Sequence, residues 1–197
     1  MKDVVKAIGE AGVLPVINIT SEDLAEPLAK GLIDGGLPLI EVTLRSECSL
    51  NAIKIIKEKI PDMTVGAGTV LTKESVDMAL SAGADYIVSP GYDPELVEYC
   101  NSINVPITPG CSTASEIQDA IKKGVKIIKF FPAELSGGLE ALKLLSGPFP
   151  GVKFLPTGGI TFDNLGEYLK YDKIIACGGS FMVKESLIEN SDFAEIT

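Results

Sequence analysis

A lysine interrupts an apolar stretch in the segment KIIKFFPAE, residues 126–134. Lys129 lies between two isoleucines and two phenylalanines, a run typical of a strand that is buried on both faces of a parallel sheet. An ammonium is costly there unless it is paired, hydrated or deprotonated for chemistry. Since burial favours the neutral amine, Lys129 is predicted to act as a nucleophile at neutral pH. A buried structural Lys–Glu pair is the alternative.

A glutamate and an arginine alternate with apolar residues in an earlier run, LIEVTLR at residues 39–45. In a strand, Glu41, Thr43 and Arg45 face one way and their apolar neighbours face the other. Because the apolar set suits a layer of helices, the polar set is predicted to point into the interior of the sheet. Near Lys129, Arg45 would favour the neutral amine and Glu41 the charged one. The alternative is a salt bridge between Glu41 and Arg45.

Small and hydroxyl-bearing residues end several other β-rich runs. The motif GAGT at residues 66–69 allows a ligand to approach the backbone, and the Thr69 hydroxyl can donate to a carboxylate. Two further runs end in Ser89-Pro90-Gly91 and Thr108-Pro109-Gly110, which are typical of turns, and Pro90 is a candidate pocket residue. The last two runs end in Thr157-Gly158-Gly159 and Gly178-Gly179-Ser180. Paired glycines expose backbone N–H groups, which favour a phosphate site if these two runs are neighbouring strands of a barrel.

The elements that must position these residues alternate along the chain. Eight short β-rich runs begin near residues 13, 39, 64, 86, 105, 127, 153 and 174, and helical patterns lie between them. Capping signals punctuate these helices, among them Asp93-Pro94 and the capping box of Thr113 with Glu116. Eight strand–helix units predict a (β/α)8 TIM barrel in one compact domain, residues 1–197. A doubly wound open sheet is the alternative, because periodicity does not show closure.

Composition excludes several classes of function. The chain has 197 residues and a net charge of −10, which argues against nucleic-acid and anionic-membrane partners. No apolar segment is long enough to span a bilayer, and the start of the chain lacks a signal peptide. With no histidine and four scattered cysteines, a Cys/His zinc site is not expected, and acid–base work falls to carboxylates, lysine or water. Scattered thiols favour a reduced, cytoplasmic setting.

In combination and order, these motifs resemble one known family. The chain is similar to the 2-keto-3-deoxy-6-phosphogluconate (KDPG) and 4-hydroxy-2-oxoglutarate (KHG) aldolases from about residue 13 to residue 180. The motifs that carry the resemblance are EVTLR at 41–45, VGAGTV at 65–70, KFFPAE at 129–134, PTGGI at 156–160 and GGS at 178–180. The family implies a class I aldolase without metal or cofactor, which is typically a homotrimer.

The resemblance also implies roles for individual residues. Lys129 matches the lysine that forms a Schiff base with the substrate's C2 carbonyl, and Glu41 matches the residue that moves protons through a water. The remaining implied contacts are Arg45 and Thr69 at the pyruvate carboxylate, Thr157 near the reacting centre, Phe131 and Pro90 beside the pyruvate, and Gly158, Gly159, Gly179 and Ser180 at the phosphate. The implied products are pyruvate with glyceraldehyde 3-phosphate, or with glyoxylate from the shorter substrate.

Two features lie outside this assignment. The chain stops at Thr197, which predicts a short or missing final helix. Asn18, at the tail of the first run, matches no position with a role that can be carried over. Rival interpretations are a phosphosugar isomerase or synthase on a similar barrel, a non-catalytic phosphometabolite-binding protein, and an aldolase for a stereoisomeric or non-phosphorylated substrate.

Overall fold

The computed structural model describes residues 4–183, in which strands and helices alternate except where β5 and β6 follow one another directly. The strands are β1 (Val13–Ile17), β2 (Leu39–Thr43), β3 (Thr64–Gly68), β4 (Tyr86–Val88), β5 (Ile107–Thr108), β6 (Gly110–Cys111), β7 (Ile127–Phe130), β8 (Lys153–Pro156) and β9 (Cys177–Gly179). The helices are α1 (Val4–Ala11), α2 (Ala25–Asp34), α3 (Ser49–Lys59), α4 (Lys73–Ser81), α5 (Pro94–Ser102), α6 (Ala114–Lys122), α7 (Gly138–Ser146) and α8 (Phe162–Leu169).

The strands form a closed parallel barrel. One run of neighbours has the order β5-β4-β3-β2-β1-β9, and a second has the order β6-β7-β8. Only Pro109 separates β5 from β6, so these two short strands are halves of one barrel strand. The sheet closes because β9 pairs with β1 on one side, while Gly178 forms a bridge with Thr157 at the end of β8 on the other. The predicted (β/α)8 barrel is confirmed, and the alternative of an open sheet is wrong.

The sequence signals for helix starts are borne out in detail. Thr113 and Glu116 form the predicted capping box, in which the Thr113 N–H donates to the Glu116 carboxylate at 2.9 Å. Asp93 accepts from the N–H groups of Glu95 and Leu96, with Pro94 in the first turn of α5. These bonds satisfy donors that a helix start would otherwise leave unpaired. Helices α5 and α6 therefore begin where the sequence predicted.

The N-terminal helix α1 was not predicted, and it closes one end of the barrel. Val4 and Ile8 of α1 are buried in the same cluster as inward-facing side chains of the strands. We call this cluster the inner apolar layer; it comprises Val4, Ile8, Leu14, Leu39, Tyr86, Val88, Ile127, Leu155 and Ala176. The layer fills the barrel at the N-terminal ends of its strands. A predicted short or missing final helix falls outside the described residues.

Two larger apolar clusters lie between the strands and the surrounding helices. Val42 and Ile53 belong to the first of these clusters, and Ile128 and Phe130 belong to the second. Alternate residues of each strand therefore face either the helices or the barrel interior, as the pattern of β2 predicted. Across residues 4–183, no helix combines the length and the apolar character that crossing a bilayer requires.

Candidate active site

Lys129 and Glu41 meet inside the barrel. The Lys129 Nζ atom lies 3.2 Å from Glu41 Oε1, and these side chains are 8 % and 0 % exposed. Each stands two residues beyond a member of the inner apolar layer, Ile127 on β7 and Leu39 on β2, and so lies nearer the C-terminal end of its strand. The alternative pairing of Glu41 with Arg45 is wrong, because Glu41 bonds Lys129 instead. A buried proton donor and acceptor thus share one hydrogen bond.

The second oxygen of Glu41 is also buried, and it has no hydrogen-bond partner in the described part of the chain. Buried carboxylate oxygens ordinarily have partners, so an unpaired one marks a place where a further donor belongs. A substrate hydroxyl or a water molecule provides such a donor. Glu41 can therefore bond Lys129 through one oxygen and a reacting group through the other.

Two glycines of β3 make room for this arrangement. A Cβ atom on Gly68 would lie 2.2 Å from Glu41 Oε1, and one on Gly66 would lie 2.2 Å from the Tyr86 ring. The sequence indicated that these glycines let a ligand approach the backbone. The structure corrects this, because the space beside both glycines is occupied by side chains of the protein itself.

Tyr86 packs beneath the site, a role that was not predicted from the sequence. Its hydroxyl donates to the Ile40 carbonyl at 3.0 Å. Burial, and then the charges of Glu41 and Asp85, raise the pKa of Tyr86 well above its ordinary value. The side chain therefore stays neutral and serves as a packed, hydrogen-bonded floor. Only the register that sets Gly66 between Glu41 and Tyr86 reveals this contact.

Arg45 lies at the exposed mouth of the barrel and is held by Thr43. The Arg45 Nε atom donates to the Thr43 hydroxyl at 3.1 Å, and that hydroxyl donates to the Ile17 carbonyl at 3.2 Å. Within residues 4–183, Arg45 forms no ion pair. Its guanidinium group is thus oriented by the protein while its charge remains available to an anion.

Thr69 and Pro90 are each connected to the buried pair through a neighbouring glycine. Thr69 directly follows Gly68 and has a φ angle of 60°, a left-handed conformation that is rare for a β-branched residue and costs on the order of 1–3 kcal/mol. The Pro90 carbonyl packs against Gly110, the register partner of Lys129 on the adjacent strand. Each predicted residue is therefore one glycine removed from the buried pair.

Phe131 and the glycines after β8 form another wall. The Phe131 ring centroid lies 5.4 Å from Lys129 Nζ. Gly158, with a φ angle of 96°, lies beside this ring, since a Cβ atom there would be 3.4 Å from it, an ordinary van der Waals distance. Thr157 is buried and forms a bridge with Gly178 of β9. The ends of β8 and β9 thus lie together, as a phosphate site on these strands requires.

Side chains hold the rim that these glycines form. The Asn164 amide donates to the Gly159 carbonyl at 3.1 Å, and Glu134 covers the other side of Gly159. The Glu134 carboxylate accepts a hydrogen bond from the buried Tyr168 hydroxyl. Burial and this bond raise the pKa of Tyr168. At the neighbouring strand end, Ser180 is exposed.

The cysteines lie away from this arrangement. Cys100, Cys111 and Cys177 are buried and Cys48 is partly buried, all four as free thiols. Burial raises the pKa of Cys100 to about 11 and the pKa values of Cys111 and Cys177 to about 12, so these three thiols stay protonated. Among the residues that the structure describes, no three His, Cys, Asp or Glu side chains gather as metal ligands would.

Comparison with known proteins assigns the family. A family model described as KDPG and KHG aldolase matches residues 4–197. The chain is 42 % identical over 197 residues to 2-dehydro-3-deoxy-phosphogluconate aldolase from Treponema pallidum, covering all of this chain and 94 % of that protein.

Solved structures resemble the whole fold. The KDPG aldolase of Legionella pneumophila, with pyruvate captured at low pH as a covalent carbinolamine intermediate, has a TM-score of 0.94 and 38 % identity, covering 98 % of this chain and 93 % of that one. The aldolase of Zymomonas mobilis with 3-phosphoglycerate has a TM-score of 0.91 and 38 % identity, covering 100 % and 95 %. With this match along its full length, the chain belongs to the KDPG and KHG aldolase family.

Proposed function

We propose that the protein is a class I aldolase that reversibly cleaves 2-keto-3-deoxy-6-phosphogluconate to pyruvate and glyceraldehyde 3-phosphate. It also cleaves 4-hydroxy-2-oxoglutarate to pyruvate and glyoxylate. The observation that carries this proposal is the buried Lys129–Glu41 contact of 3.2 Å at the C-terminal end of a parallel barrel. A phosphosugar isomerase or a binding protein has no need of an amine in this position.

The reaction begins with transfer of a proton from Lys129 to Glu41. The neutral amine then attacks the C2 carbonyl of the substrate and forms a carbinolamine. Protonated Glu41 gives its proton to the departing hydroxyl, so that water leaves, an iminium ion forms and Glu41 is again a carboxylate. The Legionella relative with pyruvate captured as a carbinolamine supports this step. Phe131 and Pro90 flank the pyruvate portion, and Thr157 lies near the reacting carbon.

Cleavage follows from the charge of the iminium ion. Glu41 takes the proton of the C4 hydroxyl, directly or through a water, and the C3–C4 bond breaks as the C4 oxygen becomes the aldehyde carbonyl. The electron pair of that bond moves to the iminium nitrogen and leaves an enamine. Glu41 returns the proton to C3, and water then releases pyruvate and regenerates the amine. No metal or cofactor takes part.

The two ends of the substrate are held by different parts of the mouth. Arg45, oriented by Thr43, binds the carboxylate together with Thr69. The phosphate binds at the rim formed by Gly158, Gly159, Gly179 and Ser180, where backbone N–H groups favour an anion. The Zymomonas relative that holds 3-phosphoglycerate supports a phosphorylated ligand. Binding at this distant end positions the bond to be cut.

Steady-state kcat/KM across candidate substrates tests the proposal. KDPG, its C4 epimer, the non-phosphorylated 2-keto-3-deoxygluconate and 4-hydroxy-2-oxoglutarate are compared by following pyruvate release, with and without EDTA. We expect the highest value for KDPG and no effect of EDTA. A higher value for the epimer or for the non-phosphorylated acid would reassign the substrate. Pyruvate release from none of the four would overturn the proposed activity.

The proposal extends to assembly and location. We propose a cytoplasmic homotrimer in which residues 1–197 form one domain, with no nucleic-acid or membrane partner. Exposed apolar side chains on and near α7 support self-association, since Leu135 and Leu144 are 90 % and 81 % exposed. The four free thiols accord with a reducing compartment. Sedimentation equilibrium tests the trimer, and a mass other than three times that of the chain would contradict it.

A further inference from the structure

Asn18 points into the mouth of the barrel from the end of β1. Leu14 and Val16 pack in or against the inner apolar layer, whereas Ile17 and Ile19 pack in the cluster between strands and helices. Strand residues alternate between faces, so Asn18 continues the inward set, two residues beyond Val16. It therefore stands on the same side of the sheet as Glu41 and Lys129.

The register of the neighbouring strands locates Asn18 along the mouth. Val16 pairs with Glu41 and Ile17 with Val42, so Asn18 is next to Thr43, the residue that orients Arg45. On the other side of β1, Leu14 pairs with Gly178 and Pro15 with Gly179 of β9. Strand β9 therefore ends in the rim that is proposed to bind the phosphate. Asn18 thus lies between the two groups that hold the ends of the proposed substrate.

The Asn18 side chain has a buried hydrogen-bond acceptor that is unsatisfied in the described part of the chain. Its Oδ1 atom is buried and has no hydrogen-bond partner among residues 4–183. Buried polar atoms without a partner are rare, and they are concentrated where a ligand or water completes the set. An amide oxygen accepts a hydrogen bond and does not donate one, so the missing partner is a donor.

The chemistry of the proposed substrate leaves one donor for this acceptor. The carboxylate and the phosphate accept only, the C2 carbonyl reacts with Lys129, and the C4 hydroxyl gives its proton to Glu41. The C5 hydroxyl remains. We propose that Asn18 accepts a hydrogen bond from the C5 hydroxyl and so selects acceptor aldehydes that carry a hydroxyl beside the carbonyl. This inference rests on the proposed function and adds a specificity-determining residue to it.

The test uses the condensation direction, in which the aldehyde is varied by a single hydroxyl. Pyruvate is condensed with glyceraldehyde 3-phosphate or with 3-oxopropyl phosphate, which lacks only that hydroxyl. In wild type we expect kcat/KM to favour glyceraldehyde 3-phosphate by about 10-fold or more. In Asn18→Leu, which removes the amide at similar size, this ratio is expected to fall to near one. Asn18→Asp keeps an acceptor and is expected to retain the preference.

Using the ratio of the two aldehydes separates recognition from folding and from phosphate binding, because both aldehydes carry the phosphate. Trapping of pyruvate on Lys129 by borohydride is expected to be equal in wild type and Asn18→Leu. An unchanged ratio in Asn18→Leu, with trapping intact, would overturn the role of Asn18 alone. Absence of condensation and of trapping in wild type would overturn the proposed function and this inference with it.

Discussion

The interior of the barrel has two halves of opposite character on the same strand faces. Near the N-terminal ends lie Leu39 and Ile127 of the inner apolar layer. Two residues further along each strand, the same face carries Glu41 and Lys129. The first half is an apolar layer covered by α1, and the second half holds charged and polar groups at the open mouth.

This difference separates the source of stability from the source of chemistry. We call the N-terminal, apolar half the lower half and the half at the mouth the upper half. Burying an apolar side chain in the lower half stabilises the fold by about 1.5–3 kcal/mol. Burying Lys129 with Glu41 carries a desolvation cost that their attraction only partly offsets. A rigid lower half lets the upper half hold groups that do not favour folding. Substitutions in the two halves should therefore have different consequences for stability and for activity.

Lys129→Met should produce the largest loss, lowering kcat by at least about 10⁴-fold because the nucleophile is removed. It should also destabilise the fold by about 3–5 kcal/mol, since Glu41 is left buried without its partner. The double variant Lys129→Met/Glu41→Leu is the control for stability. It should be equal to wild type or more stable by about 1–4 kcal/mol, yet inactive. Urea unfolding measures the effect on stability, and the pyruvate-release assay measures the effect on activity. A double variant less stable than wild type would contradict the claim that the buried pair does not stabilise the fold.

Leu14→Ala in the lower half should show the reverse pattern. Leu14 is fully buried at the start of β1, four residues before Asn18. Its truncation leaves a cavity and should lower the free energy of unfolding by about 2–5 kcal/mol. Because no reacting group is touched, kcat of the folded protein should stay within about threefold of wild type. A large fall in kcat at a temperature where the variant remains folded would refute the separation of the two halves.

The two glycines of β3 test both halves within one strand. Gly66→Ala presses on the Tyr86 ring and should lower the free energy of unfolding by about 1–3 kcal/mol, with activity retained. Gly68→Ala presses on Glu41 and should displace that flexible carboxylate, lowering kcat by about 100-fold with a smaller loss of stability. Adding Tyr86→Leu should rescue Gly66→Ala and leave Gly68→Ala unaffected. Equal changes in stability and in kcat from Gly66→Ala and Gly68→Ala would count against the separation of stability and chemistry between the two halves.

Tyr86→Phe should have the smallest effect, about 1 kcal/mol at neutral pH from loss of the bond to the Ile40 carbonyl. The effect of Tyr86 that identifies it is seen at alkaline pH. Since the pKa of Tyr86 is raised in the folded protein, its contribution to stability is complete below the ordinary value near 10 and is lost as pH rises towards the raised value. Above pH 10, the stability of wild type relative to Tyr86→Phe should fall by about 1.4 kcal/mol per pH unit. Unfolding by guanidinium from pH 8 to 11 measures this difference, and a constant difference would refute the prediction.

The features that could be predicted from the sequence are those written within one strand or one helix. Lys129 inside an apolar run and Glu41 in an alternating run each reveal their direction locally, and the repeated units reveal the barrel. The roles of Gly66 and Gly68 could not be read in this way, because each depends on which side chain of a neighbouring strand lies opposite. Asn18 likewise gained meaning only from the register between β1 and its neighbours.

Helix α1 was missed for a different reason. Its apolar residues Val4 and Ile8 show helical spacing, but the prediction followed strand–helix units, and α1 precedes the first strand. Its function of closing the barrel is visible only when the ends of several strands are seen together. Local signals therefore fixed the elements, while contacts between elements decided which residues support the site.

Borohydride reduction in the presence of pyruvate tests the central claim most directly. Reduction should fix one pyruvate adduct per chain, and peptide mass spectrometry should locate it on Lys129, inside the segment KIIKFFPAE. Glu41→Gln should still form the adduct while losing about 10²- to 10⁴-fold in turnover, because only proton transfer is impaired. An adduct that persists in Lys129→Met, or no adduct in wild type, would contradict the assignment of Lys129 as the Schiff-base lysine.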